Sequence, residues 1–578
     1  MVFNELPFLI FLAVVVAVYY LLPLLLRYGF PALFAPFDAL NGRFPHLLRN
    51  GFLLAASCYF YIQTVPVFAV YMTASIVFTY SLSLLIGATK KLRVEAALPP
   101  AAPATTRVFR NGVFVDVVPE PEPAPEPQEQ RVDAMGPRGK KAVFIIAIIL
   151  NIGLLFVFKY ADFFSGMFNS VVGVFGGVFS LPILKLAAPL GISFYVFQST
   201  GYVIDVYRKK VAPERNPITY AAFISFFPQI SSGPIGRADQ LLPQFRQAHP
   251  LNYKNLLYGG QRFIWGLFKK VVLANWLGII VDTIYSDISS YSGLTLIGAA
   301  VMYGLFIYID FSAYTDMALG TAKALGFTLV ENFKAPYFAT NMSGFWRRWH
   351  ASLTSWLTDY IFTPLVWSRW ANKLAFGKKW EDRAPHFAAN ILIVFLISGL
   401  WHGANYNFII WGSLHGLFRV GEELFHKIRR PGKIKNKYAL AAINPFKRIV
   451  VFVLATFAHI FFYFGDETPS YTLGVIKKMI APLSWTALMD TVRAIVSTYV
   501  VSDANYVNIM FYVLGFALLL LAVCDYFVIY RAKKTRDNPC NVLQHLPFLL
   551  RWPCYIFIIA AIIAYGYFGT SEFVYFQF

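Results

Sequence analysis

The sequence predicts an all-α polytopic membrane protein with about 11–13 membrane helices and re-entrant segments among them. Three observations predict it. Of 578 residues, 57% are hydrophobic and 14% charged, whereas a soluble domain carries about 25% charged residues. The apolar residues gather into runs near or above the ~20 needed to cross a bilayer as a helix. Lysine and arginine, which leave a net charge of +20, cluster between those runs. That distribution orients a chain in a membrane and argues against a nucleic-acid partner.

The first run, residues 6–26, is longer than a signal-peptide core and has no basic stretch before it, so it reads as a retained membrane helix. Arg27, Arg43 and Arg49 follow it. Residues 51–86 can make two crossings with a turn near Pro66, and Lys90, Lys91 and Arg93 close them. Placing both basic clusters in the cytoplasm puts the N-terminus outside, and the C-terminus is expected outside as well. Residues 87–141 change character: a Pro-Glu-Ala tract begins at Pro119, and the segment ends on Arg138, Lys140 and Lys141. This reads as an extended cytoplasmic insertion. Within it, Asn111-Gly112 sits between alternating apolar residues from Val108 to Val115, a β-hairpin signal.

The membrane pattern resumes at 142–158. Residues 163–181 are apolar but glycine-rich, as expected of a tilted or half-inserted element, and 190–207 end at Arg208-Lys209-Lys210. Pro228, Gly233 and Pro234 interrupt 223–234, which suits a re-entrant segment buried in protein better than a helix in lipid. Further crossings are expected near 256–281, 292–319, 387–401, 408–424, 449–464, 507–528 and 552–567. The organisation is therefore N-terminal membrane helices (1–86), an insertion (87–141) and a membrane core (142–578). No internal repeat supports an inverted-repeat transporter. Cys58, Cys524, Cys540 and Cys554 form no CxxC pair, so neither a disulfide framework nor a zinc site is expected.

Ionisable groups at membrane depth are costly and default to functional hypotheses. Asp310 and Asp316 lie six residues apart in an apolar run. They are read first as structural carboxylates that need lysine or arginine partners, and second as a proton relay with His459. The stretch Trp346-Arg347-Arg348-Trp349-His350 continues to Leu357. As one helix it would place Trp346, Trp349, His350, Leu353, Trp356 and Leu357 on a single face, with the arginines flanking. An interfacial amphipathic helix accounts for the tryptophans and arginines but not for a histidine in mid-face. His402 ends an apolar run between Gly399 and Gly403. His415 follows 13 residues later, about 20 Å away on one continuous helix, so His402 pairs better with His350. The chain has no GxxxxGK[ST], HExxH or GxSxG motif, and no histidine is followed by Asp four or five positions on.

At these residues the sequence resembles the membrane-bound O-acyltransferase family, in its bacterial branch that acetylates alginate and other polysaccharides. The matching pieces are Pro189–Gln198, Ser225-Phe226-Phe227-Pro228-Gln229 with Ser232-Gly233-Pro234-Ile235, the two histidine motifs, Trp411-Gly412, His415-Gly416, and the stretch from Phe573 to Phe578. The resemblance covers the chain apart from 87–141. It implies a helical bundle around a central tunnel. It also implies a catalytic histidine at His402, a second essential one at His350, and substrate contacts among Asn341, Trp346, Arg347, Trp349, Trp401, Asn405 and His415.

The expected activity is transfer of an acyl group, acetyl above all, from a cytoplasmic thioester to a hydroxyl across the membrane. The donor would be acetyl-CoA or an acyl carrier protein, with no permanently bound cofactor and no metal. The acceptor would be a cell-envelope or secreted polysaccharide, or a periplasmic or extracellular acyltransferase partner that completes the transfer. The location expected is the cytoplasmic membrane. An imidazole, with an ordinary pKa of about 6.5, can take the hydroxyl proton; His402 is given that role, and His350 that of orienting the thioester or stabilising the developing oxyanion. The rival reading is a transporter or channel using a buried His/Asp relay; a non-catalytic membrane scaffold is a second rival.

Overall fold

The structure is a computed structural model. It describes residues 2–29, 44–63, 66–94, 106–110, 113–117, 128–177, 179–247, 249–368, 384–429, 437–480, 484–499, 504–534, 547–569 and 573–574. The helices in chain order are α1 (Leu6–Gly29), α2 (Phe44–Ile62), α3 (Pro66–Ile86), α4 (Pro137–Leu155), α5 (Ala161–Val174), α6 (Ile192–Tyr207), α7 (Pro217–Ser225) and α8 (Ala238–Phe245). They continue with α9 (Tyr253–Phe268), α10 (Asn275–Ser286), α11 (Gly293–Ala324), α12 (Met342–Trp346), α13 (Ala351–Leu357), α14 (Thr363–Val366), α15 (Ala384–His402) and α16 (Tyr406–Arg429). The last five are α17 (Lys437–Tyr463), α18 (Pro469–Met479), α19 (Trp485–Tyr499), α20 (Ala504–Lys534) and α21 (Phe548–Tyr565). Among the described residues, seven helical stretches are long and apolar enough to cross a membrane, and two shorter apolar ones lie at Leu6–Leu22 and Phe387–His402.

Among the described residues, strands occur only within the insertion. β1 (Thr89–Val94) pairs antiparallel with β4 (Gln128–Asp133), and β2 (Thr106–Arg110) with β3 (Val113–Val117). Arg110 lies opposite Val113, the register an Asn-Gly hairpin requires; the turn residues themselves and the Pro-Glu tract fall outside the described residues. The base of the insertion is tied to the bundle by Asp133, 3.1 Å from Lys209 and 3.4 Å from Lys140. Those ammonium groups, the hydrogen bond from Lys209 foremost, hold the Asp133 carboxyl below its usual range.

Two sequence expectations need correcting here. Residues 163–181 are not a separate half-inserted element: α4 runs through a π turn (Phe156–Tyr160) into α5, and the chain beyond Val174 is irregular. Nor do 346–357 form one helix. α12 stops at Trp346 and α13 starts at Ala351, with His350 between them at φ 44° and ψ 51°. The residues expected on one face are nonetheless all buried, so the segment is a broken element packed inside the protein and not an interfacial helix. The interruption at 223–234 behaves as expected. The chain leaves α7 at Phe226 and turns through residues that are all buried, so its irregular backbone sits in protein.

The centre of the bundle is the pair α9 and α11. A second π turn, Lys269–Ala274, follows α9 and delivers two adjacent lysines inward. Lys270 Nζ lies 2.8 Å from Asp310 Oδ1, and both side chains are fully buried. The other Asp310 oxygen accepts from Val574 N at 2.9 Å, and Lys270 stands 4.2 Å from the Phe573 ring centroid. Lys269 Nζ reaches Asp316 at 2.6 Å, and Arg262 bridges Asp316 and Glu331 at 2.8 and 2.6 Å. Both carboxylates singled out in the sequence are thus charge-paired, as the structural reading expected.

Candidate active site

The histidines are brought together by a helical hairpin. α15 ends at His402, the chain reverses through Gly403-Ala404-Asn405, and α16 returns alongside. The two helices touch backbone to backbone: a Cβ on Gly399 would stand 2.3 Å from Phe408 O, and one on Gly412 2.3 Å from Phe395 O. We expect Gly399→Ala to force the helices apart at a cost of about 1–3 kcal/mol, typical of overpacking. Thermal unfolding in detergent checks this, with Gly421→Ala, where a Cβ would meet nothing within 4 Å, as the silent control.

The reversal overturns the inference that kept His415 away from His402. The 20 Å separation assumed one continuous helix; folding back at 403–405 sets His415 beside the same ring. The Trp411 ring centroid is 4.9 Å from both His402 and His415. Trp401 stands 4.8 Å from His402 and 5.8 Å from His350. His459, on α17, lies 6.1 Å from His415 and 5.4 Å from Trp349. Four imidazoles therefore share one aromatic chamber, His350 and His402 flanking Trp401, His402 and His415 flanking Trp411. The sequence pointed to His459 only as part of a rival proton relay.

His350 owes its position to a distant segment. Lys334 N donates to Arg348 O at 3.0 Å, Ala351 N to Asn332 O at 3.0 Å, and Ser352 N to Asn332 Oδ1 at 3.1 Å. These bonds bend the chain at His350 into the left-handed region, which costs a non-glycine residue about 1–2 kcal/mol. Such strain persists where the surroundings over-determine it, often at functional sites. The ring lies 4.8 Å from Phe311 and 6.4 Å from Phe194.

The remaining sequence candidates divide. Trp346 packs against His415 at 4.9 Å and Trp349 against Phe345 at 5.4 Å, so both build the chamber wall. Asn341 caps α12, its Oδ1 accepting from Gly344 N at 2.7 Å. Arg347 donates to Ser343 Oγ at 3.0 Å. Asn405 opens α16, its carbonyl accepting from Ile409 N at 3.3 Å. Trp401 is 3% exposed and sits between two imidazoles.

The chamber holds an unusual concentration of unused hydrogen-bonding capacity. Nε1 of Trp346, Trp401 and Trp411 and both ring nitrogens of His415 are buried and unpaired within the described protein. Native interiors pair more than about 90% of such groups. Indole donors and an imidazole acceptor gathered this closely are the kinds of group that bind a polar substrate group or a developing oxyanion.

Two cavities approach the chamber without entering it. One, about 220 Å³, lies between α12–α13 and α15–α16, with Arg347 and Arg419 among its lining residues and Trp346 and Phe395 at its inner end. Those two rings contact His415, at 4.9 and 6.4 Å. The other is more polar, about 90 Å³, lined by Arg262, Lys269, Asp316, Asp525 and Phe333; Phe333 and Phe311, 5.0 Å apart, stand between it and His350. His402 is 2% exposed, with the Trp401 and Trp411 rings packed against it at 4.8 and 4.9 Å.

Comparison with known proteins agrees with this architecture. The family profile of MBOAT, the membrane-bound O-acyltransferase family, matches residues 209–464, which contain all four chamber histidines. The chain is 34% identical over 335 residues to a protein of Pseudomonas putida named "probable alginate O-acetylase AlgI", covering 57% of this chain and 64% of the relative. It is 36% identical over 304 residues to the peptidoglycan O-acetyltransferase of Helicobacter pylori, covering 48% and 54%. It is 30% identical over 292 residues to the teichoic acid D-alanyltransferase of Bacillus subtilis, covering 49% and 69%. The chain spans about three fifths of the alginate relatives' length. This chain belongs to the membrane-bound O-acyltransferase family, and it is a multi-pass membrane protein.

Proposed function

We propose that the protein is an O-acyltransferase of the cytoplasmic membrane, moving an acetyl group from a cytoplasmic thioester to a hydroxyl on a cell-envelope or secreted polysaccharide, or on a partner protein that completes the transfer. The observation that carries this reading is the chamber of four histidines and four indoles, three of whose indole N–H groups are buried and unspent. His402 takes the hydroxyl proton as the oxygen attacks the thioester carbonyl. The tetrahedral intermediate collapses, the carbon–sulfur bond breaks, and the thiolate leaves with the proton from the imidazolium. His350, His415 and the indole N–H groups surround the developing oxyanion, and the dry walls keep water from the thioester.

The α15–α16 hairpin supports the direction of transfer. Lys373, Lys378 and Lys379 precede α15, Lys427 and Arg429 close α16, and the turn at 403–405 carries no charge. The open end is thus cytoplasmic and the His402 end faces outward. The 220 Å³ cavity opens in the cytoplasmic half, beside Phe387 and Arg419. A mostly apolar cleft with arginines in its lining suits the arm and phosphate of acetyl-CoA or of an acyl carrier protein. We expect Arg347→Ala with Arg419→Ala to raise the donor KM about tenfold or more while kcat holds, read from transfer rates against acetyl-CoA concentration in membrane vesicles. An unchanged KM would move the donor elsewhere. The rival proton relay loses support because Asp310 and Asp316 are held by Lys270, Lys269 and Arg262.

A further inference from the structure

A lysine that the mechanism above leaves unused sits against the backbone of the catalytic helix. The π turn between α4 and α5 carries Lys159 and Tyr160. Lys159 Nζ donates to Trp401 O at 2.6 Å, and Tyr160 Oη donates to Leu400 O at 2.9 Å. Lys159 Nζ also lies 3.4 Å from Ser193 Oγ and 5.9 Å from the Trp401 ring centroid. Leu400 and Trp401 are the two residues before His402, and α15 ends there. Their carbonyls belong to the last turn of a helix, where no intrahelical donor follows.

Three facts set this contact apart from ordinary capping. The ammonium stands within a continuous apolar helical stretch, Pro137–Val174, where a lysine is costly and calls for a specific partner. A π turn is a rare local distortion frequent at functional sites, and this one presents two adjacent donors to two adjacent carbonyls. The positive charge meets the negative end of α15, one residue from His402.

We propose that Lys159 and Tyr160 form a two-point clamp on the end of α15 that fixes the Trp401 and His402 rings for acyl transfer; both are positioning residues. The clamp holds the backbone from which both rings project, just where the helix ends before the Gly403 turn. With the ammonium gone, the Trp401 carbonyl loses its donor, the last turn loosens, and the imidazole samples orientations that do not meet the hydroxyl. This inference rests on the assignment of His402 as the base.

The test compares Lys159→Met, Lys159→Arg and Tyr160→Phe in the full-length protein in membrane vesicles. Acetyl transfer from acetyl-CoA and carbethoxylation of His402 by diethyl pyrocarbonate, located by mass spectrometry, are measured together. Lys159→Met should lower kcat about tenfold or more with the donor KM within about twofold. Lys159→Arg should recover most of it, and Tyr160→Phe should lose less. Carbethoxylation of His402 should quicken severalfold in Lys159→Met and return towards normal in Lys159→Arg. A kcat within twofold of the unmodified protein, or a loss confined to KM, overturns the clamp, as does an unchanged carbethoxylation rate. Retained transfer in His402→Ala would overturn the base assignment instead; the carbethoxylation arm then still decides whether Lys159 holds that ring.

Discussion

Replacing His402 with alanine is expected to lower acyl transfer by at least ~10³-fold while the protein still inserts and folds. A positioned general base is worth about 10²–10⁴ in rate, and groups acting as one unit fail together. The side chain is buried among Trp401, Trp411 and Phe462, with ring centroids 4.8 to 5.1 Å away, so alanine opens space without stranding a charge. Membrane vesicles supplied with labelled acetyl-CoA and the isolated envelope polysaccharide give the rate, and gel filtration in detergent reports the fold. Transfer above a tenth of normal would pass the base role to another imidazole. His415 is the first to examine, since it shares Trp411 with His402.

Breaking the Lys270–Asp310 pair should be the most damaging change outside the chamber. Both side chains are fully buried, and removing one partner of such a pair costs about 3–5 kcal/mol because the other charge is left stranded. Asp310→Ala also deprives Val574 N of its acceptor. We expect Asp310→Ala and Lys270→Met each to lower thermal stability in detergent sharply or to prevent folding. The double variant Lys270→Met with Asp310→Leu should recover most of the loss. A residue of about 1–3 kcal/mol should persist for the orphaned amide. Single variants that unfold within ~1 kcal/mol of the parent would show that the pair is dispensable.

The helical membrane architecture was legible because long apolar runs leave the chain no other way to satisfy its backbone in lipid. The β2–β3 hairpin was legible because Asn-Gly between alternating apolar residues is a local code. Asp310 and Asp316 were legible as charge-paired groups because lipid offers a carboxylate no alternative. What escaped depended on non-local partners. Nothing in the composition of Trp346–Leu357 forbids a helix; the break at His350 is imposed by Asn332 and Lys334, some 16–18 residues upstream. The nearness of His415 to His402 was hidden by treating two helices as one, although Gly403-Ala404-Asn405 marked the reversal. Lys159 went unread because the membrane run was ended at 158, one residue before it, whereas the helix continues to Val174. An isolated lysine inside an apolar run, where a charge calls for a specific partner, was the signal that could have found it.

Among the described residues three π turns, Phe156–Tyr160, Lys269–Ala274 and Thr358–Phe362, carry a consequence for how this chain can vary between species. Each is an α-helical turn widened by one residue. Losing that residue would rotate everything beyond it by about 100°, swinging Lys159 off the Trp401 carbonyl or Lys270 off Asp310. Segment length is therefore constrained at these places even where identity is not. The stretch between β1 and β4 carries no such constraint, because whatever hangs from that ladder can grow or shrink without turning a single membrane helix.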